Sequence, residues 1–393
     1  MEKSFFSSRT SWSVHSNEIS SIAELLRKKE VPLINLTETN PTQCDFAFYK
    51  NIDFSSAFLN EVNSQYNPSA KGNPNTRIRI AAYYRTRDIK LTSENIFLTA
   101  STSESYSHIF RLLCNPNDEI VVPSPSYPLL EYICAMNDVI MKHYNLHYDG
   151  EWALDFASLK KNLNVNTKAI IIINPNNPTG SFLREEEWRR LQEISEEFSC
   201  AIILDEVFSD YPLNNCTQFE LIPDEEILLF RLNGISKMLA LPQWKLGWLS
   251  VEGNNELVQN SVKKLEIICD TFLSVNTAIQ HAFPSLMNCS NVIQKEISER
   301  IHCNYKILLN EFQHTSVTVL KTNGGWCAIL HLPNIFSDEQ WAKKILLEEN
   351  IFVHPGYFYD FDGGSFIVLS LITRHDEFLQ GIQRIKNNVE KTL

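Results

Sequence analysis

The chain has 393 residues, 44% of them hydrophobic and 21% charged, which suits two unequal domains better than one core. Its 47 acidic residues outnumber 35 basic ones for a formal charge of −12, so a nucleic-acid partner is not expected, because phosphate neutralisation needs clustered Lys and Arg. No apolar run reaches the roughly 18 residues of a membrane span, the first residues hold no apolar stretch of signal-peptide length, and the nine scattered cysteines lack a Cys-x-x-Cys pair and read as reduced thiols of a cytoplasmic protein, not as a disulfide framework or zinc site.

Along the chain, short β-rich runs alternate with helical stretches. Residues 95–99 form a short apolar run, followed by helical spacing over 103–113. Residues 119–122 follow the turn Asn115-Pro116-Asn117-Asp118, and 169–173 are five consecutive apolar residues, four of them Ile. A helical stretch at 185–198 leads to the runs 201–204 and 227–230, and another helix is expected over 255–268. Continuous apolar runs bounded by turns suit parallel strands buried on both faces. The fold class is therefore α/β, with a large domain over residues 45–275. Residues 276–393 mix helix with alternating strands at 326–332 and 366–371, giving a smaller α+β domain completed by residues 1–44. Asn35-Leu36-Thr37 and Asn215-Cys216-Thr217 match the glycosylation pattern, and chance is the expected explanation of both.

Three polar features sit directly after apolar runs, where α/β sheets bind ligands. They are Asn174-Pro175-Asn176-Asn177-Pro178-Thr179-Gly180, Asp205-Glu206, and Ser236-Lys237. Each has a plain structural reading: a rigid turn, a helix cap, a solvated lysine. A carboxylate at the end of an apolar strand is costly unless a cation meets it. The sequence Thr99-Ala100-Ser101-Thr102-Ser103-Glu104 leads into a helix, and a helix N-terminus presents free N–H groups to a phosphate.

In this order and spacing the motifs resemble those of the class I/II aminotransferases, fold-type I enzymes dependent on pyridoxal 5'-phosphate (PLP). The likeness runs from about Leu33 to the C-terminus. It implies a three-layer PLP-transferase fold with a mostly parallel central sheet. It implies that Lys237 forms the Schiff base and acts as the base at the substrate carbon, that Asp205 pairs with the pyridine nitrogen, and that Asn177 donates to the ring oxygen. Tyr127 matches the aromatic residue stacked on the ring. Thr102, Ser103, Ser236 and Lys245 match phosphate contacts. Tyr66 resembles a tyrosine that reaches a neighbouring subunit's phosphate, which implies a homodimer.

Four positions depart from the family pattern. Ser101 stands where glycine usually precedes the phosphate-binding pair. Phe208 replaces a tyrosine whose hydroxyl helps hold the ring oxygen, a loss expected to raise the pKa of the Schiff base. Lys245 replaces an arginine, keeping the charge without the bidentate fork. Val368 falls where an arginine usually clamps the substrate carboxylate. Arg374, six residues on, is the nearest arginine to take that role, with Asn40, Trp12 and Trp326 on the substrate side. The combination resembles a less characterised bacterial branch.

The expected activity is amino transfer between an amino acid and a 2-oxo acid. The alternatives are β-elimination or racemisation on the same cofactor, since the motifs place the cofactor rather than the substrate, and a PLP-binding protein without turnover.

Overall fold

The computed structural model describes residues 5–12, 17–59, 66–213, 219–273 and 275–393; the Asn215-Cys216-Thr217 motif lies outside them. The isoleucine run falls within strand Thr167–Ile173, and its side chains divide between two cores. Ile171 joins Phe110, Val258 and Leu265 on one side. Ile170 and Ile172 join Leu159, Trp188 and Leu191 on the other. A strand whose side chains alternate between two apolar layers needs apolar residues throughout, which is why the run is continuous.

Eight strands form the central sheet, in the order Ile96–Thr99, Gly247–Gly253, Leu228–Gly234, Ala201–Asp205, Thr167–Ile173, Glu119–Ser124, Ile140–Tyr148 and Trp152–Leu154. The five strands from Leu228–Gly234 to Ile140–Tyr148 are mutually parallel. Ile96–Thr99, Gly247–Gly253 and Trp152–Leu154 pair antiparallel. Helices Thr102–Leu113 and Asn255–Phe272 contribute to one core, and Phe156–Asn162 and Glu185–Phe198 to the other. The result is a three-layer α/β fold with a mostly parallel sheet, as expected.

Three strands of this sheet carry no clear signal in the sequence. Gly247–Gly253 is interrupted by Ser250 and Glu252, which are not solvated. Ser250 donates to Glu252 at 2.9 Å, and Glu252 pairs with the fully buried Arg231 at 2.9 Å. Arg231 also reaches Glu206 at 2.9 Å. Ile140–Tyr148 and the short Trp152–Leu154 lie at the sheet's rim, and Ile140–Tyr148 is only partly buried.

A second, four-stranded antiparallel sheet runs Thr318–Val319, Cys327–His331, Phe366–Ser370 and His354–Pro355. Ile34–Asn35 pairs in parallel with Ile351–Phe352, and Ile19 and Ala23 of helix Glu18–Lys28 share a core with Ile385 and Val389. That core continues into Leu98, Met238 and Trp248 of the central sheet region. Asn35 spends its side-chain oxygen on the Thr37 N–H and hydroxyl, at 3.0 and 2.7 Å. The eight described cysteines are free, and among the described residues no helix is long and apolar enough to cross a membrane.

Candidate active site

The three motifs end on one cavity of about 300 Å³, at the C-terminal ends of the parallel strands. Thr102, Ser103, Tyr127, Asn177, Asp205, Ser236 and Lys237 line it, together with Thr39, Tyr106, Phe208, Cys327, His354 and Tyr359.

In the turn after Thr167–Ile173, internal bonds consume two of the three asparagines. Asn174 Oδ1 accepts from the Leu183 N–H at 2.9 Å, and Asn176 Oδ1 accepts from the Thr179 hydroxyl at 2.9 Å. Gly180 closes the turn at φ +68°, where a Cβ would fall 1.8 Å from Thr322 Oγ1 and 2.3 Å from Gly324 O. Asn177 is left facing the cavity, its buried Oδ1 without a partner among the described residues. An unpartnered buried amide is costly unless a ligand completes it.

Asp205 terminates Ala201–Asp205 and is 7% exposed. Its Oδ1 accepts from the Val207 N–H at 3.1 Å and its Oδ2 from the Tyr106 hydroxyl at 2.9 Å. Burial pushes its pKa up to about 6 against these two bonds. A carboxylate kept here is suited to a cationic ligand atom. Tyr106 was not singled out from sequence, yet it lies four residues after Thr102, on the same helix face.

Lys237 sits on the short helix Ile235–Met238 that follows Leu228–Gly234. The Tyr211 hydroxyl donates to its carbonyl at 2.6 Å and fixes the turn. Its Nζ lies 4.8 Å from the Trp326 ring centroid, 5.5 Å from that of Phe208, and donates to Thr39 O at 3.4 Å. Burial lowers the amine to about 8.

Helix Thr102–Leu113 begins at the cavity. Ser101 is its N-cap, accepting from the Glu104 N–H at 3.2 Å, with extended backbone that any residue adopts, so serine substitutes for glycine without strain. The strict glycine is Gly247 on the adjacent strand, where a Cβ would stand 3.0 Å from Ser101 C and 3.2 Å from Thr102 N.

Six expected residues, Lys245, Tyr66, Asn40, Arg374, Trp12 and Trp326, are not among those that line this cavity. Lys245 is exposed just before Gly247. Tyr66 is 82% exposed and borders a separate depression with Asn276 and His281. Asn40 caps a turn, accepting from the Thr42 N–H at 3.1 Å, while its neighbour Thr39 faces the site. Arg374 pairs with Asp376 at 3.0 Å and Glu377 at 3.9 Å on an exposed helix start, outside the cavity lining. We expect Arg374→Ala to leave KM for the amino donor within about twofold, since exposed pairs contribute little; steady-state kinetics check this, and a tenfold rise in KM would restore Arg374 to the site. Trp12 lies against Tyr132 at 5.3 Å rather than in the cavity, and Val368 is buried behind it.

A half-buried lysine, a buried carboxylate, an unpartnered amide and a helix N-terminus surround one cavity, the arrangement that the resemblance to fold-type I PLP-dependent enzymes implies. Comparison with known proteins agrees. The model of the family "Aminotransferase class I and II" matches residues 33–376, and the chain belongs to that family. A tyrosine aminotransferase of Dictyostelium discoideum is 25% identical over 337 residues, covering 80% of this chain and 79% of that protein. An S-alkyl-thiohydroximate lyase of Arabidopsis thaliana is 28% identical over 297 residues, covering 71% and 63%. The crystal structure of an aminotransferase from Escherichia coli superposes with a TM-score of 0.85 at 21% identity, covering 98% of each chain, a likeness of fold. The protein is a PLP-dependent aminotransferase.

Proposed function

We propose that the enzyme transfers an amino group between an amino acid and a 2-oxo acid, with Lys237, Asp205 and Asn177 as its central residues. The observation that carries this reading is their convergence on one cavity from the ends of three consecutive parallel strands. When bound, PLP supplies an electron sink for the bonds at the substrate Cα. Lys237 Nζ holds the cofactor covalently and moves the proton at the substrate Cα; an amine near pKa 8 is matched to that task at neutral pH. Asp205 keeps the ring nitrogen protonated, and Tyr106 and Val207 aim its two oxygens. Asn177 donates to the ring oxygen, and Tyr127 covers the ring. Thr102, Ser103 and Ser236 receive the phosphate at the helix start, with Lys245 adding charge from outside the cavity.

In this reading residues 45–275 form the large domain, and residues 1–44 with 276–393 the small one. Tyr66, exposed and outside the cavity, serves a second subunit of a cytoplasmic homodimer. The lyase among the relatives supports one second reading, β-elimination at the same site. A panel of amino donors against 2-oxo acids separates the two. Transamination converts the cofactor to its amine form, seen as a shift in absorbance and reversed by a 2-oxo acid. Release of ammonia from a donor without any acceptor, with no amine form accumulating, would favour elimination instead.

A further inference from the structure

The cavity extends beyond the cofactor residues to His354 and Tyr359, which belong to the four-stranded sheet and the turn that follows its edge strand. His354 begins strand His354–Pro355 and is the direct antiparallel partner of Val368. Directly opposed residues point to the same face with Cβ atoms about 5 Å apart. The imidazole therefore shares a sheet face with the apolar Val368, which is buried behind the cavity, and itself lines the cavity.

Its ring is held. His354 Nδ1 lies 3.1 Å from the Tyr359 hydroxyl, and the rings of Phe352 and Phe358 pack at 5.8 and 5.3 Å. Tyr359 is itself fixed, because its carbonyl accepts from the Ser126 N–H at 2.9 Å, next to Tyr127. Burial raises the Tyr359 phenol well above its ordinary range and lowers the imidazole to about 4. The phenol thus keeps its proton and the imidazole is neutral at physiological pH. A phenol O–H given to Nδ1 places the ring hydrogen on Nε2. Around the imidazole the facing groups are Tyr359, Phe352, Phe358 and Val368, none of them charged. Among the described lining residues there is no arginine, and the cation present, Lys237, is assigned to the cofactor and the proton.

We propose that His354 receives the carboxylate of the amino-acid substrate through Nε2–H, with Tyr359 as the positioning residue that sets the tautomer. This rests on the reading of the cavity as the PLP site. The substrate's acid group is then met by a neutral hydrogen bond in an aromatic pocket, not by an ion pair. Such a site discriminates weakly between a carboxylate and the carboxamide of the same shape, whereas a cationic clamp discriminates strongly.

The test uses the PLP-loaded enzyme and two unreactive probes, 3-phenylpropionate and 3-phenylpropionamide, with binding measured by calorimetry. In the wild type the two dissociation constants should agree within about tenfold. His354→Phe should weaken 3-phenylpropionate by roughly tenfold, the worth of one hydrogen bond, and raise KM for the amino donor with kcat little changed. His354→Gln retains an N–H donor and should stay within about threefold of wild type. Tyr359→Phe, which removes only the hydroxyl, should weaken the probe by a few-fold and serves if His354→Phe does not fold. Unchanged binding in His354→Phe, equal losses in the Phe and Gln variants, or a hundredfold preference of the wild type for the carboxylate would each overturn the proposal. The lysine–cofactor Schiff base, fixed by borohydride reduction as a covalent cofactor–protein adduct, should persist in the His354 and Tyr359 variants and be missing from Lys237→Ala; an adduct that survives Lys237→Ala refutes the cofactor reading instead, while the calorimetry still decides on His354.

Discussion

Lys237→Ala is expected to lower the transamination rate by at least about 10⁴-fold, since it removes both the covalent attachment and the base. The same lysine should be a burden to the protein without its cofactor. Its amine is buried against Trp326 and Phe208 and held at about 8 instead of 10.5, with desolvation as the main cause. The pKa is depressed in the folded state, so the associated stability is present above about pH 10.5 and is lost as pH falls through 8. At pH 7 the folded apoprotein must carry a desolvated ammonium or give up its proton, at a cost of up to about 3 kcal/mol. Lys237→Met, of similar length and without charge, should therefore melt a few degrees above the cofactor-free wild type at pH 7, and the gap should close toward pH 10.5. Thermal melts of the two apoproteins across that range decide it. A Met variant no more stable at pH 7 would mean that water or another group solvates Nζ.

Asp205→Asn should lower the rate by on the order of 10³-fold, because preorganised charge opposite the ring nitrogen is lost, and should weaken cofactor retention. Its effect on the apoprotein has the opposite sign. Here the folded pKa, about 6, lies above the ordinary 3.8, again through burial. The stability linked to this group is therefore fully present below about pH 4 and lost as pH rises through 6. The amide avoids that loss, so cofactor-free Asp205→Asn should exceed wild type by up to about 3 kcal/mol at pH 8 and match it at pH 4. Denaturant melts at the two pH values measure the difference, and equal gaps at both would show that the carboxylate is not the source. Lys237 and Asp205 are thus two places where function is retained against stability.

The convergence of the residues proposed for the cofactor was legible in the sequence, for a local reason. Asn177 and Lys237 follow a strand within a few residues and Asp205 ends one, and parallel strands in one sheet bring their C-terminal ends together without further information. The helix start at Thr102 announces itself by its Ser/Thr cap. The 169–173 and 201–204 runs were readable as strands because each feeds two apolar layers. Gly247–Gly253 was not, because its Ser250 is satisfied by Glu252, and Glu252 by Arg231 from the neighbouring strand, and a sequence does not show which polar residue is paired.

The substrate side was less legible. Arg374 stood out in the sequence as a charge near the strand Phe366–Ser370, but helix geometry turns it toward Asp376 and Glu377. Asn40 stood out where its neighbour Thr39 offers the carbonyl to Lys237. His354 gave no signal, because its place depends on pairing with Val368, fourteen positions away along the chain. The sequence by itself determined the fold class, since periodicity is short-range, and its short strand-end motifs carry the family resemblance from which the residues proposed to hold PLP were named. Only the tertiary structure decided which groups share the cavity with Lys237 on the substrate side, because cross-strand register and burial are set by contacts between distant segments.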